Sequence, residues 1–371
     1  MSNILKFAPI PQVDRPDRLR QLIAAVAGQR HDQEDVFWLK ENAELLGVLA
    51  SSRAQLPEKA LAPLQGFYDQ IETRLRFFPQ YYRFFLSICL DLEDLGMAGN
   101  QGAALCRWVA DQGLPEAELS DLQRAEARRL LRRRRVSRAV AAGGLGARLR
   151  QFISRSATFA LPNKKAAYEL THIVYYLSDY GRIAADLPDN ALTSLYYTGL
   201  LAYLDQDHDL LAEVCAALSC VAARVPPLWQ SAVTKVHQQI TLSADAQAPL
   251  ADGFHLHLVC HWALDLAGKS PMPAAVPQGP LRFMRPAAAQ GALAGLSQSL
   301  LDLGVARSGD WGRMRGHVLA CLGPEAHETL LEAEHSTPHF EGFFEIFARA
   351  DQGAISVSRP RQNAAPTLQG L

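Results

Sequence analysis

The sequence predicts an all-α protein of helical hairpins, arranged as a curved stack or an α/α ring, with a separate C-terminal helical piece. Apolar residues return every three or four positions along most of the chain, and strand-like alternation is nearly absent. Prolines and capping residues fall where helices would begin, and glycines where they would end. With 371 residues and 49% hydrophobic side chains, the chain can bury a large core and divide into two or three helical regions.

After an N-terminal tail (1–14), a first region at 15–140 carries expected helices near 15–27, 33–51, 57–76, 79–95, 99–112 and 115–140. Pro57 and Pro115 suit first turns, where a missing N–H costs nothing. A basic, flexible linker is expected at 141–162, beginning "AAGGLGARLR". The second region, 163–268, reads as helices near 163–182, 188–204, 207–224, 227–241 and 253–268, with Asn163 as a cap. "GKSPMPAAVPQGP" (268–280) has four prolines in thirteen residues and cannot be helical, which marks 269–286 as a second linker. The C-terminal region, 287–353, carries helices near 287–303, 311–321, 324–335 and 340–350, and a tail (354–371) with little to bury follows. Gly96, Gly181, Gly268 and Gly353 mark helix ends, because glycine enters the left-handed C-terminal conformation without steric cost.

No apolar run followed by a small-residue cleavage site opens the chain, so a cytoplasmic location is expected. The most apolar later stretch, "LLAEVCAALSCVAARVPPLW", is broken by Glu213, Arg224 and two prolines before it could span a bilayer. Six cysteines, scattered without a C-x-x-C pair, read as small buried hydrophobes rather than a disulfide frame or zinc site.

"YELTHIVYYLSDYGR" (168–182) sets one His, four Tyr, a Glu and an Asp on an otherwise apolar helix. An internal correspondence runs through it: "SICLDLEDLG" and "HIVYYLSDYG" share four identities in ten at an offset of 85, and another 85 residues reach His257. Stripes of helical spacing follow, namely Ser87, Asp91 and Asp94, then His172, Tyr176 and Asp179, then His257, His261 and Asp265. Turned toward a common cavity, such groups would make an acid–base or ligand site. Alternatively, the acids face water and His172 is a satisfied core histidine.

Glu169 and His172 have E-x-x-H spacing, repeated at Glu332 and His335, but the two further glutamates of a di-iron bundle are missing. His257 and His261 stand i, i+4 without an H-E-x-x-H glutamate, and the pattern argues against a bound metal. Nucleophile-elbow, P-loop and dinucleotide-binding signatures are absent from the sequence.

Residues 124–155 hold eleven Arg against one Glu, +10 beside −11 for the remainder of a chain whose net charge is −1. Leu130, Leu131 and Val136 would hold this helix to the body while Arg128, Arg132 and Arg135 project, a ridge suited to an acidic protein partner. Internal neutralisation of the acidic remainder is the alternative reading. With Phe152 as its one aromatic, the segment lacks the rings that stack bases, and neither nucleic acid nor a membrane surface is favoured.

The run "ELTHIVYYLSDYGR" resembles a motif of an uncharacterised family of bacterial all-α proteins of similar length, E-L-T-H followed by an aromatic helix ending in Asp-aromatic-Gly; "FHLHLVCHWAL" belongs with it. The resemblance groups Glu169, His172, Tyr176, Asp179 and His257 and implies no activity. The residues themselves support two readings, a non-enzymatic scaffold that docks an acidic partner through its Arg-rich helix and, preferred, a pocket for a small apolar or aromatic molecule. In it His172 acts as acid–base with Asp179 and Tyr176, while Tyr168, Glu169, Tyr175, His257 and His261 form the walls. His172 and His257 are expected to approach each other.

Overall fold

The computed structural model describes residues 14–136, 144–287 and 289–350. Eighteen α-helices occur among them. The first seven are α1 (Arg15–Gln29), α2 (Val36–Ser51), α3 (Gln65–Phe77), α4 (Tyr82–Asp94), α5 (Gln101–Asp111), α6 (Leu114–Ala117) and α7 (Asp121–Arg133). Next come α8 (Leu145–Ile153), α9 (Ser156–Phe159), α10 (Lys164–Ser178), α11 (Asp189–Leu204), α12 (His208–Cys220), α13 (Pro227–Gln239) and α14 (Phe254–Leu266). The chain closes with α15 (Leu293–Leu303), α16 (Trp311–Ala320), α17 (Pro324–Ser336) and α18 (Phe340–Ala348). The protein is all-α, and the one sheet among the described residues is an antiparallel pair, β1 (Thr241–Ser243) with β2 (Arg282–Met284), Leu242 opposite Phe283.

Local chemistry sets the helix boundaries. The side chains of Asp14, Asp35, Ser120, Asn163, Asp207 and Asp310 each accept from a backbone N–H in the first turn that follows. Ser120 also explains why the expected helix 115–140 is two: its hydroxyl accepts from Leu122 N–H at 3.1 Å and starts α7 afresh after the single turn of α6. The helix expected from residue 57 begins at Gln65, after a 3-10 turn at Ala62–Leu64. Over its described residues the expected linker 141–162 is helical in α8 and α9, with Leu145, Leu149, Ile153 and Phe159 buried. The proline-rich stretch is irregular as expected, yet it delivers Leu281 and Phe283 to the core. Gly353 and the C-terminal tail lie outside the described residues, as do positions 1–13 of the N-terminal tail and 137–143 of the basic segment.

One connected set of buried apolar side chains runs from Leu19 in α1 to Ala348 in α18. α12 lies at its centre, packed on α10, α11, α13 and α14; α2 joins α14 to α4, α7 joins α4 to α10, and α17 and α18 pack on α11. Five cysteines are buried, whereas Cys321 is exposed, contrary to the core role expected for all six. Burial pushes the Cys215 and Cys220 thiols up to about 12, so they carry no thiolate at neutral pH. No helix among the described residues is long and apolar enough to cross a membrane.

Candidate functional site

Helix α10 presents Tyr168, Thr171, His172 and Tyr175 on one face, since steps of three and four return to the same side of a 3.6-residue turn. That face meets α12, where Asp209 and Glu213 stand four apart, and α14, which contributes His255, Leu258 and Trp262. Glu44 and Gly47 of α2, Ser87 and Asp91 of α4 and Arg129 of α7 complete a cavity of about 100 Å³. The His172 side chain is 36% exposed, and Glu213 lies deeper at 3%.

The polar groups form a connected chain. Thr171 Oγ1 donates to Glu213 Oε2 at 2.5 Å, and the Tyr175 hydroxyl donates to the Glu213 main-chain oxygen at 2.6 Å. His172 Nδ1 lies 2.8 Å from the Tyr168 carbonyl, which can only accept; the neutral ring therefore carries its proton on Nδ1 and leaves the Nε2 lone pair free. Glu213 also sits 3.7 Å from His172 Nδ1 and 3.7 Å from His255 Nε2. His255 Nδ1 meets Asp209 at 2.8 Å, and Asp209 accepts from the Tyr168 hydroxyl at 2.9 Å.

These contacts separate the charges. Burial pushes the Glu213 carboxyl up, only partly opposed by the two imidazoles and Thr171. His255 is pulled down by burial, but Asp209, Glu44 and Glu213 outweigh this and raise it to about 9. Asp209 is pushed up by burial and held below the usual carboxylate range by His255 and Tyr168. The cluster thus sets a carboxyl raised by burial beside an imidazolium–carboxylate pair.

Residues expected from the sequence divide among several places. His172 and Tyr175 line the cavity, and Tyr168 reaches the network through Asp209. Tyr176 lies edge-on to His172, with ring centroids 6.1 Å apart, and also against Arg129. Asp179 does not join His172: at φ 46° it has left the helix, and its carboxylate pairs with Arg129 at 3.2 Å. Glu169 is half-buried and lies outside the cavity lining. The expected meeting of His172 and His257 is corrected: His257 stands about 200° around α14 from His255, and His257 and His261 face His237 of α13 instead.

The arginine helix is largely turned inward. Arg129 pairs with Asp179, Arg133 with Asp91 and Asp94, and Arg134 with Glu93 and Asp94, while Arg132 and Arg135 are exposed and Arg128 is half-buried. Sequence reasoning missed Asp209, Glu213, His255 and Glu44. Glu213 carried a signal, being the one charge inside the apolar run of α12.

Two triads of ligand-type side chains bring one donor atom from each residue within 4.8 Å of the others: Asp209 with Glu213 and His255, and His237 with His257 and His261. The first is engaged in the hydrogen bonds above. Orphaned nitrogens distinguish the second. No curated protein and no solved structure matches the chain. The profile of one family, described as a domain of unknown function (DUF6902), matches residues 1–350, and the chain belongs to that family.

Proposed function

We propose that the chain binds a small molecule in the cleft between α10, α12 and α14 and moves a proton to or from it. The observation that carries this reading is a buried carboxyl, Glu213, held between two imidazoles in a cavity walled by Tyr175, Tyr180, Leu258 and Trp262. A volume of about 100 Å³ is well below the roughly 300–1,000 Å³ of pockets for drug-sized ligands, so the occupant is compact. The aromatic walls take its apolar part, and the Glu213 and His172 end meets its exchangeable proton. At that end His172 Nε2 accepts a proton from the open side and Glu213 gives one from the floor, the paired acid and base that enolisation, elimination or hydration requires. Tyr168 and Asp209 orient His255 behind them, and Asp209 also borders a groove of about 750 Å³ through which protons can exchange with solvent.

An acidic partner docked on Arg128, Arg132 and Arg135 has less support, because Arg129, Arg133 and Arg134 of the same segment are spent internally. The test is mass spectrometry of small molecules that co-purify with the full chain, for the wild type and for Glu213→Gln and His172→Phe. Expected are a compact molecule on the wild type, its retention in unconverted form on Glu213→Gln, and its loss from His172→Phe with the helical circular dichroism intact. Identical content in all three proteins would overturn the reading.

A further inference from the structure

The polar groups facing α13 from α14 have no role in the cleft. His257 and His261 stand four apart on the α14 face opposite His255, and His237 comes from the last turn of α13. Their rings lie face to face or tilted, with centroids 5.0 Å apart for His237 and His257, 5.4 Å for His237 and His261, and 6.2 Å for His257 and His261. All three are buried, at 8%, 3% and 5% exposure. His237 Nε2, His257 Nδ1 and both nitrogens of His261 have no hydrogen-bond partner.

Such a cluster is costly if nothing fills it. An unsatisfied buried polar atom costs about 1–3 kcal/mol, and native interiors rarely leave one orphaned. Here three rings carry four orphaned nitrogens, and one ring nitrogen from each lies within 4.8 Å of the others. None of the rings is ion-paired with a carboxylate among the described residues; the nearest acid along α14, Asp265, is held by Arg15 at 2.8 Å.

We propose that His237, His257 and His261 bind one late first-row transition-metal ion, of which Zn²⁺ is the representative. Three imidazole nitrogens without an oxygen donor suit such ions and not Mg²⁺ or Ca²⁺, which require oxygen ligands. Three histidines leave the fourth tetrahedral position to water or a small anion. Zinc–nitrogen bonds of about 2.0–2.1 Å place ligands about 3.4 Å apart. Donors within 4.8 Å of one another therefore reach the ion by closing about 1.4 Å or less, within the range of the broad ring torsion of histidine. The third ligand crosses from a neighbouring helix, so the ion also clamps α13 to α14.

The site is separate from the cleft, and its test is independent of the proposed function. The full chain is stripped with a chelator and titrated with Zn²⁺ against a chromophoric competitor, and metal content is read by elemental mass spectrometry. One ion per chain and a rise in thermal midpoint are expected, and Co²⁺ in place of Zn²⁺ should give the intense visible bands of a four-coordinate site. His261→Leu fills the same apolar volume; it should weaken binding by more than the roughly 10–100-fold that losing an outer partner of a ligand costs, with the helical signal unchanged. Glu213→Gln should leave metal affinity as in the wild type. Three outcomes overturn the proposal: wild type that takes up no ion, His261→Leu that binds as wild type, or metal lost from Glu213→Gln and kept by His261→Leu, which would place the ion at the Asp209 cluster. The Co²⁺ spectrum of the unaltered chain decides the matter should His261→Leu fail to fold.

Discussion

At Asp179 the backbone and a charge are decided together. Residues 179 to 181 all have positive φ, so α10 ends there and the side chain swings off the helical stripe toward α7. Arg129, whose side chain is 4% exposed, takes the carboxylate as its partner and stacks over Tyr180 at 4.6 Å. A buried guanidinium stripped of its counter-charge is among the most expensive single changes available to a protein. Asp179→Asn keeps a residue that tolerates the left-handed conformation and deletes the charge alone. It should cost on the order of 3 kcal/mol, read from urea unfolding, and a loss below about 1 kcal/mol would mean that Asp91 and Tyr180 suffice for Arg129. The i, i+7 pairing expected between His172 and Asp179 failed because spacing arguments hold only while the helix continues. Its end was marked in the sequence by Gly181, two residues too late to release Asp179 from the stripe.

Between elements, Trp229 of α13 packs closely on α11 at Gly199: an added Cβ there would lie 2.3 Å from the Trp229 ring, itself fully buried. Two effects compete in Gly199→Ala. Helix propensity favours alanine by about 1 kcal/mol, and overpacking a filled core costs about 1–3 kcal/mol. Trp229 has no exposed edge to give way, so the clash should win, with a net loss on the order of 1–2 kcal/mol in chemical denaturation; a stabilised variant would show that α13 can shift. Helix positions themselves were largely legible, α10 to α14 beginning within one residue of the sequence expectation because caps, prolines and periodicity are local. α8 and α9 were not, since these short segments, the first of them opening after Gly144, are held by burial of Leu149, Ile153 and Phe159.

For the molecule as a whole, the acid–arginine network between α4 and α7 ties stability to pH. Glu93 is pushed up by burial, but the Gly102 N–H, Arg134 and Tyr68 outweigh this and hold it below the usual range; Asp94 is likewise pushed up by burial and held low by Arg133 and Arg134. A carboxyl with a depressed folded value binds its proton first in the unfolded chain, so its stabilisation is full above about pH 4.3 and drains away as pH falls through the folded value. Glu44 and Glu213, raised by burial, act in the opposite sense. Below about pH 6.5 the unfolded chain also protonates His237, His257 and His261, which burial holds neutral in the fold, so the urea midpoint should fall from there and more steeply below about pH 4. A midpoint unchanged down to pH 3 would deny the network a role in stability. Of the arginines in residues 124–155, Arg133 and Arg134 belong to this network and Arg129 pairs with Asp179.

By itself the sequence determined an all-α protein, the placement of most helices and the presence of polar groups on apolar helix faces, because periodicity, capping and composition act over a few residues. Tertiary structure alone decided which faces meet. Thr171 bonds to Glu213 across 42 residues of chain, and His255 to Asp209 across 46; nothing local pairs them. The same packing turned His257 and His261 away from His172 and supplied His237 as their neighbour. A helix rotates each side chain by 100° per residue, so two positions along α14 separate a ring that serves the cleft from one that serves the opposite face.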